Sequence, residues 1–171
     1  MMEKRNVTVS AIVAAIVLIG DQLSKHWAET WLRTNGEYKI WDGVLHLRYV
    51  ENRGAAFGMM QGGKWFFLAI TGIACAAMLY FLIKERKRLH FMMTFSIALL
   101  LSGAIGNLID RVTLGYVRDM IYVALIDFAV FNVADMAVTV GCCLLVLDLL
   151  FFKGKKYMEM MDKKPQTGEN S

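Results

Sequence analysis

The chain is poor in the residues that punctuate or solubilise a protein. It has a single proline, Pro165, and only 20% of its 171 residues are charged. Disordered and collagenous chains are built from proline, glycine and charge, so both are excluded. Three cysteines, Cys75, Cys142 and Cys143, all fall within apolar runs. An odd count with no Cys-x-x-Cys spacing gives neither a disulfide framework nor a zinc site. They read as small residues packed inside helices. His26, His46 and His90 stand far apart and match no metal-ligand spacing. No metal and no cofactor is expected. Gly-x-Ser-x-Gly, His-Glu-x-x-His and phosphate-loop motifs are all missing.

What is abundant is apolar. Hydrophobic residues make up 57% of the chain, and the mean hydropathy is +0.44. Soluble domains are about 45–50% apolar, so a soluble globular enzyme does not fit. The net charge of +4 raises the question of nucleic acid. The basic residues, however, sit in short clusters between long apolar runs, as they do in membrane proteins. No nucleic-acid partner is expected.

A helix needs about 20 largely apolar residues to cross a bilayer. Four stretches meet that length, at about 7–25, 65–83, 91–114 and 130–152. Lys4 and Arg5 before the first stretch also suit a cleavable leader. No small-residue cleavage site follows, and Gly20-Asp21-Gln22 is a poor exit from one. The expected architecture is an all-α polytopic membrane protein, one domain over 1–171, with four transmembrane helices. A small extracytoplasmic β-sheet is expected between helices 1 and 2, over about 36–58. There Glu37–Trp41 and Val44–Val50 alternate, and Asp42-Gly43 between them is a hairpin turn signal. Trp27, Trp31 and Trp41 read as interfacial anchors.

Charge sets the orientation. Lys4 and Arg5 precede helix 1. Lys84, Arg86, Lys87 and Arg88 separate helices 2 and 3. Lys153, Lys155, Lys156, Lys163 and Lys164 follow helix 4. The positive-inside rule places both termini, the 84–90 loop and a polar tail over 153–171 in the cytoplasm.

The informative residues are polar ones placed where they are expensive. Insertion scales charge about 2.5–3.5 kcal/mol for an Asp, Lys or Arg at a helix centre. Asp21 and Lys25 end the first apolar stretch at i,i+4 spacing and share a face. Asn107, Asp110 and Arg111 end the third, and Asp119 follows beyond it. Asn132 and Asp135 open the fourth at i,i+3. Asn52 and Arg53 lie in the outer loop. Alternating helix directions bring all of these to the extracytoplasmic side, so four carboxylates converge near one depth.

Structural roles account for several of them. Asp21–Lys25 reads as an ion pair at a helix end, and Asp110–Arg111 as a packing pair. Asn132 suits a helix N-cap, and Asp127 a solvated loop. Asp119 is ambiguous alone, since Arg118 and Met120–Val123 fit an interfacial loop. Asp135 is different: it lies in an apolar helix with no adjacent base, and an intramembrane carboxylate is a functional signal. Two carboxylates held a few ångströms apart share a proton. The ionised partner then activates water while the protonated one polarises a carbonyl, as in aspartic proteases. A small proton-coupled membrane transporter component is the rival reading. It would need polar stepping stones through the midplane, and these are lacking. A membrane scaffold leaves Asp135 unexplained.

Four blocks in order resemble the motifs of bacterial lipoprotein signal peptidase (signal peptidase II). They are Asp21-Gln22-Leu23-Ser24-Lys25, Glu51–Gly58, Gly103–Arg111 and Phe131-Asn132-Val133-Ala134-Asp135. The resemblance implies an aspartyl endopeptidase of the bacterial cytoplasmic membrane. Such enzymes remove the signal peptide from prolipoproteins whose cysteine carries diacylglycerol, cutting just before that cysteine. The implied catalytic pair is Asp119, in Gly115-Tyr116-Val117-Arg118-Asp119, with Asp135. Asn52, Gly54, Asn107, Asp110, Arg111 and Asn132 match substrate-binding or supporting positions, and Asp21 and Lys25 match structural ones. Asn52 and Asn132 are expected to hydrogen-bond the substrate backbone, and Arg111 to pair with Asp110. Asn107 is expected to join that network, and Gly54–Gly58 to form a lid. The expected partners are the diacylglyceryl-prolipoprotein, membrane lipid and the family inhibitor globomycin, with the chain a monomer. The family pattern often reads Val-Asp-Phe at the first aspartate. Here it is Arg118-Asp119-Met120, a departure that bears on the local packing more than on the chemistry.

Overall fold

The computed structural model describes residues 2–54, 63–86 and 88–152, with side chains from residue 6 onward. Most of the Gly54–Gly58 lid segment and the tail over 153–171 lie outside the described residues.

Among the described residues, four helices are long and apolar enough to cross a membrane. They are α1 (Met2–Trp27), α2 (Lys64–Glu85), α3 (Phe91–Thr113) and α4 (Val133–Phe151). Helix α1 does not stop at Lys25 as expected. It runs on through a π-helical segment, Ala28–Leu32, and a last turn, Arg33–Asn35, until Gly36 at φ +83° ends it. The reason is packing. Ala28 and Leu32 lie buried in a cluster with Met120, flanked by Leu47, Tyr49 and Ile121, which carries the helix past the apolar stretch. Helix α4 starts three residues later than expected. Phe131 is extended and exchanges backbone hydrogen bonds with Ile121, at 2.8 and 3.0 Å.

Helix α3 is the hub, packing against α4, α1 and α2. Small residues allow the close approach. A Cβ on Gly103 would strike the Ala134 carbonyl, one on Gly141 would lie 2.9 Å from the Ser96 carbonyl, and one on Gly106 would lie 2.6 Å from Asp21 Oδ2. At the other end, Leu89, Met93 and Ile97 pack with residues of α2 and α4.

The sheet is antiparallel, in the order β1 (Tyr38–Trp41), β2 (Leu45–Asn52), β3 (Val117–Val123). The expected hairpin is present, with Gly43 at φ +71° in its turn. A third strand lies outside the expected 36–58 region. It follows α3, in the segment that reads as a loop. Strands half-covered by a core alternate in sequence, but Val117, Arg118, Asp119 and Met120 are all buried, so no alternation marks them. Pairing of Val50 with Asp119 and of Asn52 with Val117 brings two of the sequence motifs side by side. Trp27 and Trp31 stack at 5.6 Å between ring centroids and, with Trp41, are exposed. Asp127, expected to be merely solvated, is exposed but accepts the Tyr122 hydroxyl at 2.6 Å.

Candidate active site

Four aspartates do converge, and they divide into two kinds. Asp21 and Asp110 are held by cations. Lys25 is wholly buried, with Nζ 2.9 Å from Asp21 Oδ2 and 3.6 Å from Asp110 Oδ2. Asp21 also accepts the Ala134 amide at 2.9 Å, which satisfies a free N–H in the first turn of α4. Asp110 does not pair with Arg111. Its partner is Arg118, which reaches both carboxylate oxygens at 2.7 and 3.2 Å and adds its backbone N–H at 2.9 Å. Arg118 further donates to Glu29 at 2.9 Å and Gln22 at 3.3 Å. Burial works against its charge, but the hydrogen bond and charge of Asp110, then those of Glu29, outweigh it and raise its pKa. Arg118 therefore pins the strand that carries Asp119 to α1 and α3. Arg111 turns instead to the Gly54 carbonyl at 3.3 Å and lies 5.0 Å from the Phe67 ring centroid. Neighbouring residues on a helix point about 100° apart, so Asp110 and Arg111 cannot easily share a partner.

Asp119 and Asp135 are held by amides. Asp119 accepts from Asn132 at 2.6 Å on one oxygen and from Asn52 at 3.0 Å on the other. Asp135 accepts from Asn107 at 2.7 Å and from the Asn132 backbone N–H at 3.1 Å. Asn132 bridges the two carboxylates, and with Asp135 it forms a reciprocal capping box at the start of α4.

All three asparagine amides are oriented by obligate donors. Asn107 Oδ1 accepts the Lys25 ammonium at 2.8 Å. Asn132 Oδ1 accepts the Asp135 backbone N–H at 2.9 Å, and Asn52 Oδ1 accepts the Gly54 N–H at 3.0 Å. An ammonium and a backbone amide can only donate. Each amide oxygen is thereby fixed, and each NH2 group faces a carboxylate. Asn132 is 0% exposed. Asn52 reaches open space.

That space is a cavity of about 570 Å³. Asp119, Asp135, Asn52, Asn107 and Arg111 line it, together with an apolar wall that includes Met136 and Val140. Burial first, and the Asp135 charge second, lift the Asp119 carboxyl to about 7, while the two asparagine amides and Lys25 pull it down. A carboxyl there can hold a proton at neutral pH and still release it. No group of three or more His, Cys, Asp or Glu among the described residues is placed to hold a metal ion.

Asn52, Asn107, Asn132 and the two aspartates thus meet at one place. Gly54 lies at its edge, and Asp21, Lys25 and Asp110 lie behind it. Sequence reasoning missed Arg118, Glu29 and Gln22. The departure from Val-Asp-Phe at Arg118 was the available signal.

A family model described as signal peptidase (SPase) II matches residues 13–151. Two similar proteins bear the name lipoprotein signal peptidase. One, from Streptococcus thermophilus, is 46% identical over 138 residues, covering 80% of this chain and 90% of that protein. The other, from Clostridioides difficile, is 44% identical over 145 residues, covering 84% and 97%. Among solved structures, a bacterial membrane enzyme obtained by the in meso method superposes with a TM-score of 0.77 at 33% identity, covering 95% of each chain. The chain belongs to the signal peptidase II family.

Proposed function

We propose that Asp119 and Asp135 are the catalytic pair of a membrane aspartyl endopeptidase. Its substrate is a prolipoprotein whose cysteine already carries diacylglycerol, and the cut falls just before that cysteine. The observation that carries this reading is two carboxylates, held only by neutral donors, facing one cavity beside the start of an apolar helix. The ionised partner takes a proton from water as the oxygen attacks the scissile carbonyl, and the protonated partner gives its proton to the carbonyl oxygen, forming a gem-diol. The carboxyl that took water's proton then donates it to the nitrogen as the C–N bond breaks, and the other carboxylate recovers its proton from the gem-diol hydroxyl as the product acid forms. The proton belongs to the pair, which titrates as a unit.

Met136 and Val140, each 48% exposed, extend the cavity wall along the lipid-facing side of α4. A substrate anchored by two acyl chains can reach such a site by lateral diffusion. The cationic segments support placing both termini and the 84–90 loop in the cytoplasm. The cavity and the sheet then lie near the extracytoplasmic face of the bacterial cytoplasmic membrane. The same cavity is where globomycin is expected to bind, and the chain is expected to act as a monomer. The family match leaves the transporter reading without support.

The test is a cleavage assay with purified protein and a diacylglyceryl-modified prolipoprotein, with the released peptide weighed by mass spectrometry. A cut directly before the modified cysteine, unaffected by a chelator, is the expected result. Cleavage elsewhere, or equal cleavage of the unmodified precursor, overturns the assignment.

A further inference from the structure

The molecule has a second cavity, which opens at the end of the bundle opposite the aspartates and runs to about a turn from Asp21. It is a groove of about 500 Å³ bounded by α1, α2 and α3. Helix α2 leans chiefly on α3, and the groove fills the space left between it and α1. Along α1 it is lined from Val7 to Leu18, with Ala11, Ala14 and Ala15 between them. The eleven steps from Val7 to Leu18 rise about 16 Å, close to the roughly 15 Å of one leaflet's hydrocarbon.

The lining is aliphatic and alanine-rich, with Arg86, Ser10, Thr94 and Ser102 its polar members, and its run along α1 matches the depth of one acyl chain in a leaflet. The polar groups choose the kind of lipid. Arg86, at the mouth, is exposed and has no hydrogen-bond or ion-pair partner among the described residues. Two described basic neighbours are already engaged: Arg88 pairs with Glu85 at 3.4 Å, and Lys84 lies over the Tyr80 ring. Ser10 lies about one turn deeper than Val7, is 2% exposed, and its hydroxyl has no partner. Buried hydroxyls are nearly always satisfied. A lipid ester carbonyl, which hangs below the phosphate, is an acceptor suited to that depth.

We propose that this groove holds an anionic phospholipid of the leaflet opposite the catalytic pair, with one acyl chain between α1 and α2 and the phosphate on Arg86. The lipid is distinct from the diacylglycerol of the substrate, which meets the other end of the bundle. It completes an interface that the helices do not make with each other.

Native mass spectrometry of the full chain in detergent tests this, with phosphatidylglycerol and phosphatidylcholine of identical acyl chains. Phosphatidylglycerol is expected to bind about fivefold more tightly, the effect of one basic residue at a lipid headgroup. Arg86→Gln removes the preference, and Arg88→Gln keeps it. The double variant Ala11→Leu/Ala15→Leu fills the groove and weakens both lipids. Equal retention of the two lipids by the wild type overturns the proposal, as does a preference that survives Arg86→Gln. Glycerol phosphate competing as well as the whole lipid overturns the acyl-chain assignment.

Discussion

Two pairs of aspartates lie within the same few turns of this protein and are treated in opposite ways. Asp21 and Asp110 face Lys25 and Arg118. Asp119 and Asp135 accept hydrogen bonds from asparagine amides and a backbone N–H, and neither is in an ion pair among the described residues. A cation fixes a carboxylate as an anion, and a buried ion pair of that sort is structural because losing either partner strands the other. An amide orients a carboxylate without settling its charge. On the proposed reading, the first pair is framework and the second is catalytic. Lys25 joins the two regions: it neutralises the framework aspartates and also fixes the Asn107 amide that serves Asp135.

The largest effect that separates the two pairs is on cleavage. Asp119→Asn or Asp135→Asn is expected to lower the rate at least about a thousandfold, within the range of positioned acid–base groups, while the protein still unfolds at its usual temperature. The next largest is on stability. Asp110→Ala leaves Lys25 and Arg118 buried without their shared partner and is expected to cost about 3–5 kcal/mol, read by denaturant unfolding in detergent. Unchanged stability would show that Asp110 is not framework. Asn132→Ala sharpens the comparison, because this residue touches both carboxylates. It removes an N-cap worth about 1 kcal/mol and lowers cleavage by more than that loss of stability explains.

The remaining effect is a pH dependence. The unfolded Asp119 carboxyl titrates near 4 and the folded one at about 7. Between those values the folded protein holds a proton that the unfolded chain has released. Stability therefore falls as pH rises through that window, by at most about 1.4 kcal/mol per pH unit. Asp119→Asn flattens the slope, and unfolding curves at pH 5 and 7.5 measure it. A slope unchanged in the variant assigns the dependence to another group.

Much of this was legible in the sequence. Helix spans follow from apolar length, and the β1–β2 hairpin from alternation around Asp42-Gly43. The convergence of Asn52, Asn107, Asp119, Asn132 and Asp135 follows from topology and motif order. What stayed hidden depends on contacts rather than on pattern. Strand β3 is buried through Val117–Met120 and so lacks alternation. Arg118 reads as an interfacial cation until it meets Asp110. Arg111 reads as the partner of its sequence neighbour Asp110, whereas its side chain donates to the Gly54 carbonyl. The extension of α1 past Lys25 is set by the sheet packed on Ala28 and Leu32. No motif announces the groove between α1 and α2, because a gap is a property of packing.

The most direct test compares Asp→Asn changes at 21, 110, 119 and 135, each assayed for cleavage of a diacylglyceryl-prolipoprotein and for unfolding in the same detergent. The account predicts that the changes at 119 and 135 give folded, inactive protein. Those at 21 and 110 give destabilised protein whose remaining folded fraction still cuts. Near-normal cleavage by Asp119→Asn or Asp135→Asn would contradict it, as would a fully stable but inactive Asp110→Asn.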